Sequence, residues 1–580
     1  MNEKTDFLNK KDNFIILDSF YGDRFQLLLE NPNYILKTYN FNEIISIFKE
    51  IDNSLKKGYI VAGFISYEAG IFFSKKIKYS NENSKDLLCY FGIYEDYKKI
   101  KLFENTHISE KLNFKNFYLN INKKKYLENI NNILVNIIKG NVYQVNYTFK
   151  LHFELEENLF KVYKLLRNNF HTQYSALIRI SPDNEILSFS PELFFKIKNN
   201  TITVKPMKGT GIYSEASKIN SKKNAAENYM IVDLLRNDLG KVSTLGSVNV
   251  NKLLQKESYG EILQLTSEIT SKVSEQFLFE NLFKSIFPSG SITGAPKESA
   301  MSLIHELESN KRNVYTGSIG IFFPDGRSKF NVAIRTLVKR ENKYEMGVGS
   351  GIVYDSNPED EWRECFQKAS FLFKSFNFYL FESILYKNGI LYFLEEHLDR
   401  LERSSKMLYG HFEKNLVKKS ITDFIQQESG YYKLKCIYKS DKTILIEKSE
   451  FIKNKFGSIH LSKIKVNSKD FFLHHKTSYR NLYDDSYKNK STEITDIIFA
   501  NEFDIITEGC ISNIFVLLNG TYYTSHEYNG LLNGVYRKNL LKKFPKLFKE
   551  KDIYIDDLFK SKKIFICNSI RGIMRVKING

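Results

Sequence analysis

Two lysines stand in surroundings that could make their amines reactive. Lys208 lies in the stretch TVKPMKGTG, where Pro206 and the two glycines predict an irregular backbone. Lys476 lies far downstream in HHKTSYR. An amine attacks carbon, or forms an imine with a carbonyl, only when it is neutral, so each role requires a lowered lysine pKa. Taken singly, Lys208 is typical of a surface lysine and Lys476 of a loop lysine, so two covalent steps in one chain are a hypothesis that depends on the motifs around them.

Carboxylates form the second group of candidates. Glu192 follows Pro191 in LSFSPELFFK, which predicts a turn between two strands where a desolvated carboxyl could act as a general acid. Glu227 shares a helical face with apolar residues, an unusual place for a charge. Glu361 and Glu364 are three positions apart and lie on one helical face. Such acids either complement the helix dipole or hold a divalent cation such as Mg²⁺.

The elements that position these groups can be predicted from periodicity and caps. Helices are expected over residues 123–138, with Gly140 as a stop, and over residues 224–239. Asn357 as N-cap and Pro358 at the first helical position predict a third helix.

Strand patterns account for much of the rest. Residues 12–110 predict the strands of a sheet with one helix near residues 41–55. VYQVNYTFKLHFEL alternates as a strand, which places Gln144 just past a helix-to-strand turn. Glycines in FPSGSITGAPK, YTGSIG and GVGSGIV permit close backbone approach, and free N–H groups there can bind carboxylate or phosphate.

Length and composition limit the classes of protein to which this chain can belong. A chain of 580 residues is long enough for two or more domains. The net charge of +18 is compatible with a nucleic-acid partner. The lysines, however, are spread along the chain, which is typical of a solvated surface. Five scattered cysteines predict no disulfide framework and no cysteine metal site. With no signal-like segment and no long apolar run, we expect a cytoplasmic protein without a membrane span.

Seven motifs occur in order between about residues 120 and 375. They are GNVYQVNYT, SPELFF, KPMKGT, ENYMIVDLLRNDLG, FPSGSITGAPKESAM, YTGSIG and GSGIVYDSNPEDEWRE. Together they resemble the chorismate-utilising enzymes, the family of anthranilate, aminodeoxychorismate, isochorismate and salicylate synthases. The resemblance implies catalytic roles for Lys208 and Glu192, and Mg²⁺ held by Glu227 and Glu364 with Glu361 beside them. It also implies substrate contacts from Ser291, Tyr315, Arg335 and the amides of Gly349 and Gly351.

Two positions distinguish the branches of that family. Isochorismate and salicylate synthases carry a water-activating lysine where this chain has Gln144, so hydration is disfavoured. Aminodeoxychorismate synthases have a lysine at position 208, where anthranilate synthases typically have alanine, so amination at C4 is implied. Gln264 replaces a histidine of many relatives, which removes a candidate proton donor. None of the cysteines lies in a glutaminase elbow, so ammonia would come from a separate glutamine amidotransferase subunit or from free ammonium.

The second half carries another set of motifs, which begin with LFESILYKNGILYFLEEHLDRL and continue with HHKTSYRNLYDD, DIITEGCISNIF, LLNGVYRKNLL and ICNSIRGI. They resemble the fold-type-IV pyridoxal-phosphate enzymes, which include aminodeoxychorismate lyase and the branched-chain and D-amino-acid aminotransferases. The resemblance implies a Schiff base at Lys476 and a pyridinium partner at Glu508. Phosphate contacts would come from Arg400, Asn513, Val535, Tyr536 and Ser569. Since such enzymes are commonly dimers, a homodimer is also implied.

The combined expectation is an α+β protein of two domains. Residues 1–374 would form a chorismate-binding β-sandwich with helices, and residues 379–580 a fold-type-IV domain like D-amino-acid aminotransferase. The fusion favours a lyase that converts the first product to p-aminobenzoate, the folate precursor, with loss of pyruvate. The alternatives are an anthranilate-synthase-like domain fused to an aminotransferase, and a basic nucleic-acid-binding protein without catalysis.

Overall fold

The computed structural model describes residues 8, 11–20, 25–74, 76–77, 84, 86–103, 110–170, 172–212, 222–259, 262–273, 277–426, 428–451 and 457–579. The side chains of residues 208–212, 222–224, 258–259 and 262–264 lie outside this description. The chain divides into two compact units. One is Met1–Leu112 with Leu127–Lys368, and the other is Asn113–Tyr126 with Ala369–Gly580.

The strands of the first 352 positions are β1 (Phe14–Asp18), β2 (Gln26–Glu30), β3 (Tyr34–Thr38), β4 (Ile60–Ile65), β5 (Cys89–Tyr94), β6 (Lys98–Ile100), β7 (Phe114–Leu119), β8 (Gln144–Leu155), β9 (Tyr174–Ser181), β10 (Asn184–Ser190), β11 (Leu193–Lys198), β12 (Thr201–Lys205), β13 (Met207–Ile212), β14 (Asn249–Tyr259), β15 (Ile262–Lys272), β16 (Gly294–Ala295), β17 (Ser318–Phe322), β18 (Ser328–Val332), β19 (Thr336–Arg340) and β20 (Lys343–Ile352). The helices up to residue 368 are α1 (Ile44–Lys56), α2 (Lys123–Ile138), α3 (Leu159–Asn169), α4 (Lys222–Gly240), α5 (Phe279–Ile286), α6 (Gly290–Thr293), α7 (Lys297–Leu307) and α8 (Pro358–Lys368).

Two sheets form the first unit. One has the order β16-β8-β20-β19-β10-β9-β1-β2-β6, and the other β13-β15-β12-β11-β18-β17-β4-β5-β3, with β14 beside β15. Apolar side chains of both sheets join in one buried cluster, for example Ile15 and Leu29 from the first sheet with Phe64 and Ile319 from the second. Because each sheet buries one face against the other, the unit is a β-sandwich, as predicted.

The second unit continues with β21 (Leu380–Lys387), β22 (Ile390–Leu391), β23 (Tyr431–Tyr438), β24 (Ile444–Glu450), β25 (Gly457–Leu461), β26 (Ile494–Ala500), β27 (Ile506–Gly509), β28 (Asn513–Leu518), β29 (Thr521–Thr524), β30 (Phe548–Glu550), β31 (Ile564–Asn568) and β32 (Gly572–Asn579). Its helices are α9 (Ser370–Ser375), α10 (Leu394–Leu408), α11 (Lys414–Ile425), α12 (Asn481–Asn489), α13 (Val535–Lys543) and α14 (Ile555–Lys560). A small sheet has the order β22-β21-β23-β24. In the larger sheet, β27-β26-β25-β32-β31-β28 closes into a ring because β27 also pairs with β28.

The segment Asn113–Tyr126 groups with the second unit, although it precedes most of the first unit in the chain. The ring of Phe114 stacks on Phe376 and Tyr479, with centroids 4.3 and 4.2 Å apart. The N–H of Leu119 donates to the carbonyl of Lys469 at 3.0 Å. The units differ from the predicted domains 1–374 and 379–580 in this segment and in residues 369–374, which group with the second unit.

Several local predictions are confirmed. The helix α2 has the predicted bounds, and Gly140 follows it with a φ of 76°. Asn357 Oδ1 accepts hydrogen bonds from the N–H groups of Glu359 and Asp360, so it caps α8, which begins at Pro358.

Two strands differ from expectation. The strand β8 does not alternate, because most of its residues are buried on both faces; the helix α7 lies against it. The stretch around Lys208 is the strand β13, whose pairing with β15 shifts register between Lys208 and Thr210, instead of a wholly irregular backbone.

Among the described residues, no helix is long and apolar enough to cross a membrane. The five cysteines are buried free thiols.

A buried ion pair ties the helix α3 to the strand β1. Arg167 Nε lies 2.5 Å from Asp18 Oδ2, and the two side chains are 2% and 0% exposed. The hydroxyl of Tyr163 also donates to Asp18 at 3.2 Å. Loss of the arginine leaves a buried carboxylate without its charge partner.

We expect Arg167→Met to lower the free energy of unfolding of the first unit by about 3–5 kcal/mol, measured by denaturant unfolding. The matched control is Arg327→Met, which breaks an exposed pair with Asp325 and should change stability by about 0–1 kcal/mol. Equal effects of the two substitutions would contradict the role of the buried pair.

Candidate active sites

Glu192 occupies the predicted turn, between β10 and β11, and is 5% exposed. Ser291 Oγ donates to Glu192 Oε1 at 2.7 Å, and the hydroxyls of Ser289 and Ser291 lie 3.0 Å apart. The structure thus brings together two predicted site residues, a carboxyl group and a hydroxyl group. A buried carboxyl with a fixed orientation is suited to transfer a proton to a leaving group.

Arg335 presents a partly buried positive charge. It has a φ of 51° just before β19, and its guanidinium lies 3.8 Å from the centroid of the Phe170 ring. Burial lowers the pKa of Arg335 to about 9. Within the described part of the chain, no carboxylate forms an ion pair with it. A desolvated guanidinium of this kind is suited to receive a carboxylate of a ligand.

The glycines of β20 allow the neighbouring chain to approach closely. A Cβ on Gly347 would lie 2.1 Å from the ring of Tyr315, and one on Gly349 would lie 2.4 Å from the carbonyl oxygen of Tyr147. β20 pairs with β19 only as far as Met346, so Gly349 and Gly351 lie beyond that pairing. The part of β20 that holds these two glycines has no β19 partner along that edge. This is compatible with the predicted binding of carboxylates.

The three predicted metal ligands differ in their surroundings. Glu227 is half-buried on α4. Glu361 is 3% exposed and accepts a hydrogen bond from Ser356 at 2.6 Å, whereas the side chain of Glu364 is 48% exposed and pairs with Lys368 at 2.8 Å. In the described ranges, no three His, Cys, Asp or Glu side chains are grouped to hold a metal. The magnesium ligand set therefore stays a prediction.

Lys208 faces Leu265 across β13 and β15, and Thr210 faces Gln264. The side chains of Lys208 and Gln264 lie outside the described residues. Gln144 opens β8 and is 0% exposed, and neither polar atom of its side chain has a hydrogen-bond partner among the residues that the structure describes. A buried amide of this kind can bond to a ligand, a property that its position after a helix did not reveal.

The second unit contains a cavity of about 1230 Å³. All seven residues predicted to bind pyridoxal phosphate line it: Arg400, Lys476, Glu508, Asn513, Val535, Tyr536 and Ser569. These residues span 170 positions of sequence, so only the fold brings them together.

Lys476 follows a short 3₁₀ helix, Phe471–His474, and its carbonyl accepts a hydrogen bond from the N–H of Phe381 at 3.1 Å. Burial, together with the charges of Arg400 and Arg480, lowers the pKa of Lys476 to about 7. A neutral amine is therefore available near physiological pH, as imine formation requires.

Arg400 is held by a buried carboxylate that the sequence did not single out. Its Nε and Nη2 atoms donate to Glu382 at 2.8 and 2.6 Å, and His397 Nδ1 lies 2.7 Å from the same carboxylate. Burial alone would raise the pKa of Glu382, but Arg400 and His397 lower it to about 2. The only sequence signal for Glu382 was an acid inside the apolar strand LFESIL.

Glu508 and the start of α13 also line the cavity. Glu508 accepts hydrogen bonds from the N–H of Leu532 at 3.0 Å and from Asn513 Nδ2 at 3.2 Å. Burial raises the pKa of Glu508 to about 8, so it can share a proton with a ring nitrogen. A Cβ on Gly534 would lie 2.0 Å from Asn513 Oδ1, and Val535 begins the helix. A helix start of this kind suits a phosphate group, so the residues present fit pyridoxal phosphate.

Because the pKa of Lys476 is about 7, the rate at which pyridoxal phosphate loads onto cofactor-free protein should rise about tenfold between pH 6 and pH 8 and then level off. Absorbance of the bound cofactor measures this rate, and Lys476→Ala is the control without loading. A rate that keeps rising tenfold per pH unit up to pH 10 would show an ordinary lysine.

Comparisons with known proteins divide the chain in the same way as its motifs. Residues 17–374 match the profile described as chorismate binding enzyme, and residues 379–578 match that of amino-transferase class IV. Over 260 residues the chain is 36% identical to aminodeoxychorismate synthase component 1 of Salmonella typhimurium, which covers 43% of this chain and 57% of that protein. The chain thus spans just over half the length of that relative.

Two further relatives cover more of the first half. Anthranilate synthase component 1 of Saccharolobus solfataricus is 30% identical over 383 residues, which covers 61% of this chain and 90% of that protein. The crystal structure of anthranilate synthase component I from Streptococcus pneumoniae has a TM-score of 0.53 at 24% identity and covers 60% of this chain and 91% of that one. This likeness shows a shared fold. The chain belongs to the chorismate binding enzyme family, and an amino-transferase class IV domain follows in the same polypeptide.

Proposed function

We propose that the first unit aminates chorismate at C4 and that the second converts the product, 4-amino-4-deoxychorismate, to p-aminobenzoate and pyruvate. The observation that carries this proposal is the meeting of Lys476, Glu508 and Arg400 in one cavity of a chain that also carries a chorismate-binding domain. The aminated product is an amine, the kind of substrate that a pyridoxal-phosphate enzyme accepts. The fusion therefore favours two successive steps on one molecule.

In the first unit, Glu192 would protonate the C4 hydroxyl, which leaves as water. The neutral amine of Lys208 would attack C2 as that hydroxyl departs. Ammonia would then add at C4, and the lysine would leave C2 with its bonding electrons. Arg335, Tyr315 and the amides of Gly349 and Gly351 would hold the substrate carboxylates. Gln144 stands where a lysine would favour hydration, so ammonia is the preferred nucleophile.

Glu227, Glu361 and Glu364 would hold Mg²⁺, which would neutralise a carboxylate of the substrate. This part of the proposal rests on the resemblance of their motifs. Ammonia would come from a separate amidotransferase subunit, since the relatives with similar sequences are named as component 1. A homodimer through the second unit is likewise proposed.

In the second unit, bound pyridoxal phosphate would act as an electron sink. Lys476 would carry the cofactor and then take the C4 proton of the substrate. Glu508 would bond to the ring nitrogen, and Arg400, with Asn513 and the start of α13, would hold the phosphate. Loss of the C4 proton makes the ring aromatic as the enolpyruvyl group leaves, and protonation of that group gives pyruvate.

A second candidate function is an anthranilate synthase fused to an aminotransferase. The observation that favours it is the 30% identity to anthranilate synthase component 1 of Saccharolobus solfataricus over most of that protein. In that case the first unit would aminate C2, and the second would act on an amino acid.

Purified protein supplied with chorismate, ammonium, Mg²⁺ and pyridoxal phosphate should release p-aminobenzoate, identified by fluorescence after chromatography. Omission of pyridoxal phosphate should stop p-aminobenzoate while chorismate is still consumed. Addition of EDTA should stop consumption of chorismate, because the proposed carboxylate ligands need the cation. Anthranilate as the product would refute the proposal, and turnover unaffected by EDTA would refute its magnesium site.

Lys208→Ala should lose C4 amination or redirect it, because the attacking amine is removed. The same variant should still convert supplied 4-amino-4-deoxychorismate to p-aminobenzoate at the wild-type rate. Rates of both reactions are measured on one preparation. Loss of both activities in a soluble protein would contradict the division into two sites.

A further inference from the structure

The wall of the cavity in the second unit is rich in basic side chains. Besides Arg400 and Lys476, six cations line it: Lys115, Lys433, Lys435, Lys465, Arg480 and Arg571. The acids that line it are Glu450, Asp470, Asp484 and Glu508. Basic side chains outnumber acidic ones by eight to four in this wall, so it is suited to bind an anion beyond the cofactor.

Most of these cations already have partners. Arg400 is bonded to Glu382, and Arg480 pairs with Asp484 at 2.7 Å. Lys465 pairs with Asp504 at 2.8 Å. Lys433 and Arg571 differ, because no carboxylate among the described residues forms an ion pair with either of them. Two cations are therefore available to a ligand.

Lys433 and Arg571 line the same cavity from different parts of the fold. Lys433 and Lys435 are two apart on β23 and thus share one face, while Leu434 and Cys436, both 0% exposed, occupy the other. Arg571 stands in the turn between β31 and β32, where its N–H donates to Asn568 Oδ1 at 2.8 Å. The cavity joins both positions.

Electrostatic effects show how the charges are grouped. Burial, followed by the charges of Arg571, Lys435 and Arg480, lowers the pKa of Lys433. Arg480 also contributes to the lowered pKa of Lys476. Arg480 therefore lies within reach of both the reactive amine and the Lys433 group. An anion bound there would relieve the repulsion between like charges.

We propose that Lys433 and Arg571 form a carboxylate-binding subsite that selects dianionic substrates for the second unit. This inference rests on the proposed function, since 4-amino-4-deoxychorismate carries two carboxylates in addition to the amine that must reach Lys476. Lys433 and Arg571 hold a carboxylate while the amine is presented to the cofactor. They are specificity-determining residues, and Lys476 remains the group that moves the proton.

The test compares full-length Lys433→Gln, Arg571→Gln and the double variant with the wild type. Loss of a charge-assisted hydrogen bond should raise KM for 4-amino-4-deoxychorismate by about 10- to 100-fold in each single variant, with a smaller change in kcat. Lys433→Arg should restore most of the affinity, because it keeps the charge. The matched control is Lys465→Gln, a lysine of the same wall that Asp504 already neutralises, and its KM should stay within about twofold.

A second measurement does not depend on turnover. Isophthalate, a rigid dianion without an amine, should change the absorbance of bound pyridoxal phosphate in the wild type and bind about 10- to 100-fold more weakly to the double variant. Benzoate, a monoanion, should bind weakly to both proteins. The absorbance of the bound cofactor itself should be the same in all variants, which shows that the cavity is intact.

The outcomes separate two kinds of failure. If the wild type converts 4-amino-4-deoxychorismate and the double variant has an unchanged KM, the subsite is wrong and the proposed function stands. If the wild type does not convert this substrate but isophthalate binding still falls in the double variant, the anion subsite stands and the proposed function is wrong. Equal binding of isophthalate to wild type and double variant overturns the subsite.

Discussion

Burial of Glu382 is the constraint on which the second site depends. Its carboxylate is 1% exposed and is bonded to Arg400 through two N–H groups. An isolated buried charge is strongly unfavourable, so Arg400 must remain against Glu382. This fixes the guanidinium of Arg400 in the cavity wall. There, burial of Lys476 and the charge of Arg400 lower the pKa of Lys476 to about 7. One buried ion pair thus positions the arginine that is proposed to contact the phosphate, and it contributes to the lowered pKa of Lys476.

Both units use the same physical device, a cation that forms no ion pair with a carboxylate among the described residues and whose anionic partner is expected to be a ligand. In the first unit it is Arg335, whose pKa burial lowers. In the second it is Lys433 with Arg571. A chorismate-derived molecule carries carboxylates in both reactions, so similar recognition at two sites is consistent with one molecule that passes through both. The acid–base groups differ, since Glu192 is a buried carboxyl near serine hydroxyls and Lys476 is a partly buried amine.

Local features were predictable from the sequence because local forces determine them. The cap by Asn357 and the turn at Glu192 follow from hydrogen bonding and from Pro191. The residues predicted to line the cavity of the second unit could be found only through motifs, because their positions run from 400 to 569 and no local pattern links them. Neither the local sequence patterns nor the motifs predicted Glu382 as the partner of Arg400, or the grouping of Asn113–Tyr126 with the second unit. The different exposures of Glu361 and Glu364 were also missed, because the neighbours of α8, and not the spacing of three residues, decide which side chain is covered.

The central claim is that one chain makes an aminated intermediate in its first unit and consumes it in its second. Mass spectrometry of the product released by Lys476→Ala from chorismate and ammonium tests this most directly. The account predicts that 4-amino-4-deoxychorismate accumulates and becomes p-aminobenzoate when wild-type protein is added. Anthranilate in that mixture, or p-aminobenzoate made by the variant alone, would contradict it.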